Sequence, residues 1–185
     1  MISVESSETK DPPSTNNQVL PQSVETDYAD KFISGFNSFE DFFEALTKID
    51  NKESTPKQET KGHIFERFAK IYLLTEPTHS IRIRRLWHCW EIPEDIKQKI
   101  DHPESDEGID LLAELNDGSY MSVQAKLRSN TNHTLTWDEL STFTALSFVT
   151  CSKIQYGLVI TTCEQPLKKR NLVRDKIGFQ LLSDL

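Results

Sequence analysis

Hydrophobic positions change their spacing several times along the chain, and each change marks an element. In SFEDFFEALTKID, residues 38–50, Phe39, Phe42, Phe43 and Leu46 recur on one face at the spacing of an amphipathic helix. Ser38 stands at the N-cap, and Glu40 and Asp41 suit the first turn, where the helix dipole favours negative charge. The aromatic stripe predicts a surface that docks onto a larger domain. The helical period returns in KGHIFERFAKIYLL, residues 61–74, through Phe65, Phe68, Ala69, Tyr72 and Leu73, with Glu66 at the edge of the stripe beside Ala69 and Leu73. HSIRIRRLWHCWEIP alternates Ile and Arg before its Trp residues and predicts a strand, and PEDIKQKI a short helix opened by Pro93.

Two period-2 runs then flank Asp117-Gly118. A helix follows in TWDELSTFTALSF, opened by a capping box of Thr136 and Glu139. KIQYGLVITT is apolar and β-branched, as a buried parallel strand requires. LKKRNLVRDKI predicts a helix and GFQLLSDL a last strand. From residue 61 the main order is helix, three strands, helix, strand, helix, strand. That order predicts an α/β domain with a mixed central sheet flanked by helices. The pattern breaks off after LLSDL without a polar tail, which predicts the front of a longer protein.

Composition divides the chain. Residues 1–35 are acidic and rich in Ser, Thr, Asn, Gln and Pro, too polar to offset the entropy of ordering, and predict a disordered leader. Residues 36–60 supply the aromatic helix and a polar linker, and 61–185 the main domain. The formal charge of -8 is uneven: residues 1–60 hold 12 acidic and 5 basic residues, the remainder 17 and 16. Charge therefore neither requires nor excludes a nucleic-acid partner for the main domain. No apolar run approaches the roughly 20 residues of a membrane span, and no signal peptide is visible, so a soluble, cytoplasmic protein is expected. Cys89, Cys151 and Cys163 match neither a disulfide framework nor a zinc site. His88-Cys89 lacks a second ligand pair, and buried reduced thiols are the plain expectation.

The hairpin DEGIDLLAELNDGSYMSVQAKLRSN, residues 106–130, carries the candidate chemistry. A two-residue Asp117-Gly118 loop would set Asp110 opposite Ala125 and mix the two faces. A three-residue loop, Asn116-Asp117-Gly118 with Gly118 left-handed, pairs Leu115 with Ser119, Ala113 with Met121, Leu111 with Val123 and Ile109 with Ala125. One side is then uniformly apolar, and a one-residue slip would expose all of it. The same register sets Asp110 opposite Gln124, with Lys126 one pleat away. A carboxylate, a carboxamide and an ammonium on one face can hold a hard cation and orient water at a phosphate. The bland alternative is a solvated cross-strand pair worth under about 1 kcal/mol. Spacing alone leaves both open.

The order Glu66, Gly108-Ile109-Asp110, Gln124-Ala125-Lys126 resembles the PD-(D/E)XK nuclease superfamily. It is closest to the Mrr-like restriction endonuclease branch, as found at the amino terminus of type ISP restriction enzymes and helicase-fused relatives. GLVITT and LKKRNLV fit the later part of that pattern, and the resemblance covers about 61–185. It implies a Mg²⁺-dependent DNA endonuclease, with Mn²⁺ able to substitute, in a restriction, defence or helicase-fused enzyme. Asp110 would be the central metal ligand, Gln124 the replacement for the usual second acid, and Lys126 the catalytic lysine. Glu66 would add an acid from the first helix, ahead of the rivals Asp106, Glu107 and Glu114, and the Ala125 carbonyl would complete the metal set. Arg82, Arg84 and Arg85, and Lys168, Lys169, Arg170 and Arg174, are candidate DNA phosphate contacts, with a solvated basic face as the equal alternative. Trp87, Trp90 and Trp137 are expected in the core or an interface rather than against bases. The competing function is a catalytically inactive nucleic-acid-binding module that keeps the fold.

Overall fold

The structure, a computed structural model, describes residues 28–49, 61–104, 108–165 and 176–185. Three helices come first: α1 (Tyr28–Ser34), α2 (Phe39–Lys48) and α3 (Lys61–Thr75), followed by the short α4 (Pro77–Ser80). Ser38 caps α2 as its position implies, its hydroxyl accepting from the Asp41 amide at 3.2 Å. Helix α1 corrects the leader, since residues 28–34 are helical and Ala29 is buried. Its apolar residues find a partner the sequence does not display. Phe32, Phe36, Phe39 and Phe42 interlock with Phe68 of α3, with centroids 5.0 to 6.1 Å apart. Such pairs add to simple area burial. The stripe of α2 is therefore an intramolecular docking surface.

A five-stranded sheet of order β1-β2-β3-β4-β5 forms the centre. It comprises β1 (Ile83–His88), β2 (Leu111–Leu115), β3 (Tyr120–Lys126), β4 (Ile154–Thr161) and β5 (Ile177–Gln180). The first three strands are antiparallel, and β4 and β5 run parallel to β3. A single-turn 3₁₀ segment, Cys89–Glu91, and α5 (Glu94–Ile100) join β1 to β2. Pro93 is the N-cap residue of α5 rather than its first helical residue. The crossover from β3 to β4 is α6 (Trp137–Ala145), opened by the Thr136–Glu139 capping box and closed by a π-helical turn, Leu146–Thr150. The helix expected in LKKRNLVRDKI falls mostly on residues 166–175, outside the described residues.

Both faces of the sheet are covered, as expected of a mixed central sheet flanked by helices. Helices α1–α3 pack with Leu111, Val123, Leu158 and Ile160 on one side. On the other, α5 and α6 pack with Leu112, Tyr120, Val159 and Ile177. Every residue of β2 is buried. Among the described residues, no helix is long and apolar enough to cross a membrane. Cys89, Cys151 and Cys163 are buried and form no disulfide.

Candidate active site

The hairpin turn sets the site's register. Gly118 adopts φ 82° and its amide donates to the Leu115 carbonyl at 2.9 Å, while the Leu115 amide donates to the Ser119 carbonyl at 2.9 Å. The Asp117 carboxylate accepts from the amide and hydroxyl of Ser119, which holds its pKa below the ordinary range. The loop is thus the three-residue one, and Leu111 faces Val123 and Ala113 faces Met121. At the far end the regular alternation fails. Ile109 packs with the α5–α6 side, together with Leu112, and not with Leu111 and Ala125 on the α3 side. The ladder of β2 starts only at Leu111, and Gly108, at φ 122°, turns the chain into it. A Cβ on Gly108 would lie 3.1 Å from both the Phe143 amide nitrogen and Thr142 Cγ2, so α6 presses directly on this bend.

The bend delivers Asp110 to β3. Its backbone amide donates to the Val123 carbonyl at 2.9 Å, and its carbonyl accepts from the Cys89 amide at 3.1 Å. Its Oδ2 accepts from the Ala125 amide at 2.6 Å and from Gln124 Nε2 at 2.9 Å. Asp110 is half-buried and Gln124 is 5% exposed, so this pair is largely withdrawn from solvent. Donor bonds to a carboxylate are charge-assisted and hold it in one orientation. The Gln124 amide nitrogen faces Asp110, so in this arrangement the carboxamide donates to the carboxylate.

Lys126 is half-buried at the end of β3. Its carbonyl accepts from Thr161 Oγ1 at 2.8 Å and from the Thr162 amide at 3.3 Å. Thr162 Oγ1 then accepts from the Arg128 amide at 2.7 Å and donates to its carbonyl at 2.9 Å. Both threonines are fully buried, so the polar end of an otherwise apolar strand clamps the backbone that carries the lysine. Beyond it, Glu139 accepts from Arg128, His133 and Thr136, tying the loop after β3 to the first turn of α6. Despite partial burial, these bonds pull its pKa down to about 2. The two threonines and this loop clamp are supporting residues that sequence reasoning missed. The only signal was a Thr-Thr pair closing a hydrophobic run.

Glu114 and the Arg82, Arg84 and Arg85 group are not gathered with these. Glu66 is half-buried on α3. Glu114 is buried, but it pairs with Arg84 and Arg85, and the Arg85 hydrogen bond chiefly holds its pKa low. A register shift between Ile83 and Arg85 turns both arginines towards that one carboxylate. The Arg82, Arg84 and Arg85 group lies at the turn end of the hairpin, since Ile83 pairs with Leu115 while His88 pairs with Leu111. Four residue steps, roughly 14 Å of strand, separate that end from the Asp110 end. Asp106, Glu107, Lys168, Lys169, Arg170 and Arg174 lie outside the described residues. Trp90, expected in the core or an interface, is 61% exposed, whereas Trp87 packs against the core.

Next to Asp110, the 3₁₀ turn is pinned from α3. Glu91 pairs with Arg67 and Lys70 and accepts from the His88 amide at 3.0 Å, and Arg67 also reaches Asp30 of α1. These partners keep the Glu91 pKa below its ordinary value against the opposing effect of burial. His88 is fully buried, and burial, with the charges of Lys70 and Arg67, pushes its pKa down to about 4.

With this geometry in hand, residues 74–176 match the restriction endonuclease family model Mrr_cat_2. Asp110, Gln124 and Lys126 lie inside that span, and Glu66 precedes it. Among solved structures, the chain is similar to the ATP-dependent Type ISP restriction-modification enzyme LlaBIII bound to DNA. The TM-score is 0.52 and the identity 25%, over 77% of this chain and 8% of that one. The chain thus spans less than a tenth of that enzyme's length. No curated protein matches it.

Proposed function

The chain belongs to the restriction endonuclease family, and from that premise we propose that it is a Mg²⁺-dependent DNA endonuclease domain hydrolysing phosphodiester bonds, with Mn²⁺ able to substitute. We place it in a restriction or defence enzyme whose motor lies in the same full-length chain. The observation that carries the reading is the Asp110 carboxylate, gripped by the Gln124 side chain and the Ala125 amide at the end of the strand that bears Lys126.

The donor chemistry fits a hard divalent cation held weakly. Asp110 supplies one carboxylate, Gln124 a carboxamide whose oxygen is presented by a half-turn of the amide, and Ala125 a backbone carbonyl. Glu66 from α3 is the further acid we assign to the set. Mg²⁺ is commonly held by one or two carboxylates together with substrate phosphates, so binding that strengthens with DNA suits so sparse a set. When bound, the ion supplies Lewis-acid polarisation of the phosphate and a water of lowered pKa. The Ala125 amide holds the Asp110 carboxylate in place. The Lys126 ammonium positions a water for in-line attack and offsets charge developing on the phosphate. Thr161 and Thr162 keep its backbone from drifting.

One observation favours the competing reading of an inactive nucleic-acid-binding module: among the described residues no three His, Cys, Asp or Glu side chains gather as a metal site. Plasmid nicking separates the two. Wild type, Asp110→Ala and Lys126→Ala are assayed with Mg²⁺, Mn²⁺ or chelator, while thermal shift with Ca²⁺ reads ion binding independently of cutting. Metal-dependent nicking lost in both variants supports the nuclease. Equal nicking by all three proteins defeats it, and salt-sensitive DNA binding without nicking favours the inactive module.

A further inference from the structure

Trp90 follows Cys89, whose amide bonds Asp110, and the core does not claim its large aromatic side chain. It is 61% exposed, against 0% for its neighbour His88. Its lower face is already used: the His88 ring lies parallel to the indole, with centroids 4.5 Å apart and planes 6° apart. His63 of α3 meets it edge-on at 6.3 Å and 73°. The support itself is unusual, since neither ring nitrogen of His88 has a hydrogen-bond partner among the described residues. A buried imidazole without partners contributes no polar network here, and what it provides is a flat surface. The turn that carries the indole is fixed by the Cys89 amide on the Asp110 carbonyl and by Glu91 on Arg67 and Lys70. A braced indole presents one open face in a defined orientation at no further ordering cost.

Position decides what that face meets. Trp90 follows the residue whose amide bonds Asp110, so the two α-carbons lie within about 10 Å. At a rise of roughly 3.4 Å per nucleotide, that is the span of one to three stacked bases.

We propose that Trp90 stacks on an unpaired or extruded nucleobase of the DNA strand within three nucleotides of the phosphate at Asp110, with His88 as its support. This rests on the nuclease reading for the position of the phosphate. The stack itself is a binding contact and can be read without cutting.

The test uses the full chain in chelator, so that no DNA is cut. It measures affinity for a duplex with a short single-stranded gap whose strand carries either bases or abasic sites, for wild type, Trp90→Ala and Trp90→Phe. Circular dichroism checks that each variant is folded. Stacking on an aromatic residue is worth about tenfold or more in affinity by truncation. Trp90→Ala should therefore weaken binding to the base-bearing gap about tenfold, Trp90→Phe should recover most of it, and all three proteins should bind the abasic gap alike. Equal affinity of wild type and Trp90→Ala for the base-bearing gap overturns the proposal. So does an equal loss on abasic DNA, which marks a structural role, and so does wild type that binds neither DNA. A chain that never cuts but shows the base-dependent loss sinks the nuclease reading alone.

Discussion

Acidification from pH 7 to 4.5 should remove stability through one side chain, His88. The ring is fully buried, stacked on Trp90, and without a hydrogen-bond partner for either nitrogen among the described residues. Burial first, then the nearby charges of Lys70 and Arg67, lower its pKa from 6.5 to about 4, against the opposing pull of Glu91. The unfolded chain takes up a proton as pH falls through 6.5, whereas the folded one resists until about 4. Stability held by the neutral ring is therefore complete above 6.5 and drains as pH falls through that window. The gap corresponds to about 3 kcal/mol at its limit, of which about 2 kcal/mol is gone by pH 4.5. Against a domain stability of roughly 5–15 kcal/mol, that is a measurable share. The carboxylates with lowered pKa, Glu91, Glu114 and Glu139, begin to release their contributions near pH 5 and are shared by the His88 variant, so the difference between the two proteins isolates the ring. Urea unfolding followed by circular dichroism at half-unit pH steps measures the slope. His88→Phe keeps an aromatic ring against Trp90 and removes the titration, and its curve should be flatter where the wild type falls. Parallel slopes in the two proteins, or a flat wild type, would refute the assignment.

Three further outcomes test the site's construction. Gln124→Glu places a second carboxylate against Asp110. Its melting temperature should drop below wild type in chelator and gain more than wild type from added Mg²⁺, by differential scanning fluorimetry. Gly108→Ala should cost about 2 kcal/mol or more in chemical denaturation, because positive φ and the Thr142–Phe143 backbone both exclude a Cβ. At Gly118, with φ 82° but open space around it, alanine should cost only about 1 kcal/mol. Glu139→Gln should flatten the acid limb between pH 4.5 and about 2, where the wild-type carboxylate loses its stabilising bonds, and raise protease cleavage in the loop after β3.

Hydrophobic spacing was enough to locate helices α2, α3, α5 and α6 and all five strands, because each is amphipathic or continuously apolar on its own. The capping residues Ser38 and Thr136 act within four residues of themselves, and so they too were legible. The hairpin register was legible for the same reason: only a three-residue loop lets Leu111, Ala113 and Leu115 face Val123, Met121 and Ser119. That register also brought Asp110, Gln124 and Lys126 together as candidates.

What happens past Leu111 depended on the other layer. The pressure of α6 on Gly108 swings Ile109 to the opposite core and frees the Asp110 side chain to reach along the sheet to Ala125. The register shift in β1 brings Arg84 and Arg85 to Glu114, a pairing that the spacing of the sequence does not display. Helix α1 forms in a polar stretch because Phe42 of α2 and Arg67 of α3 supply its apolar and ionic partners. Trp90 stays uncovered because His88, two residues before it, occupies the buried place beneath. Local periodicity determines which residues prefer the interior. Which of them win a place there, and where each polar atom finds its partner, is decided by segments distant in sequence, and that competition exists only in the folded chain.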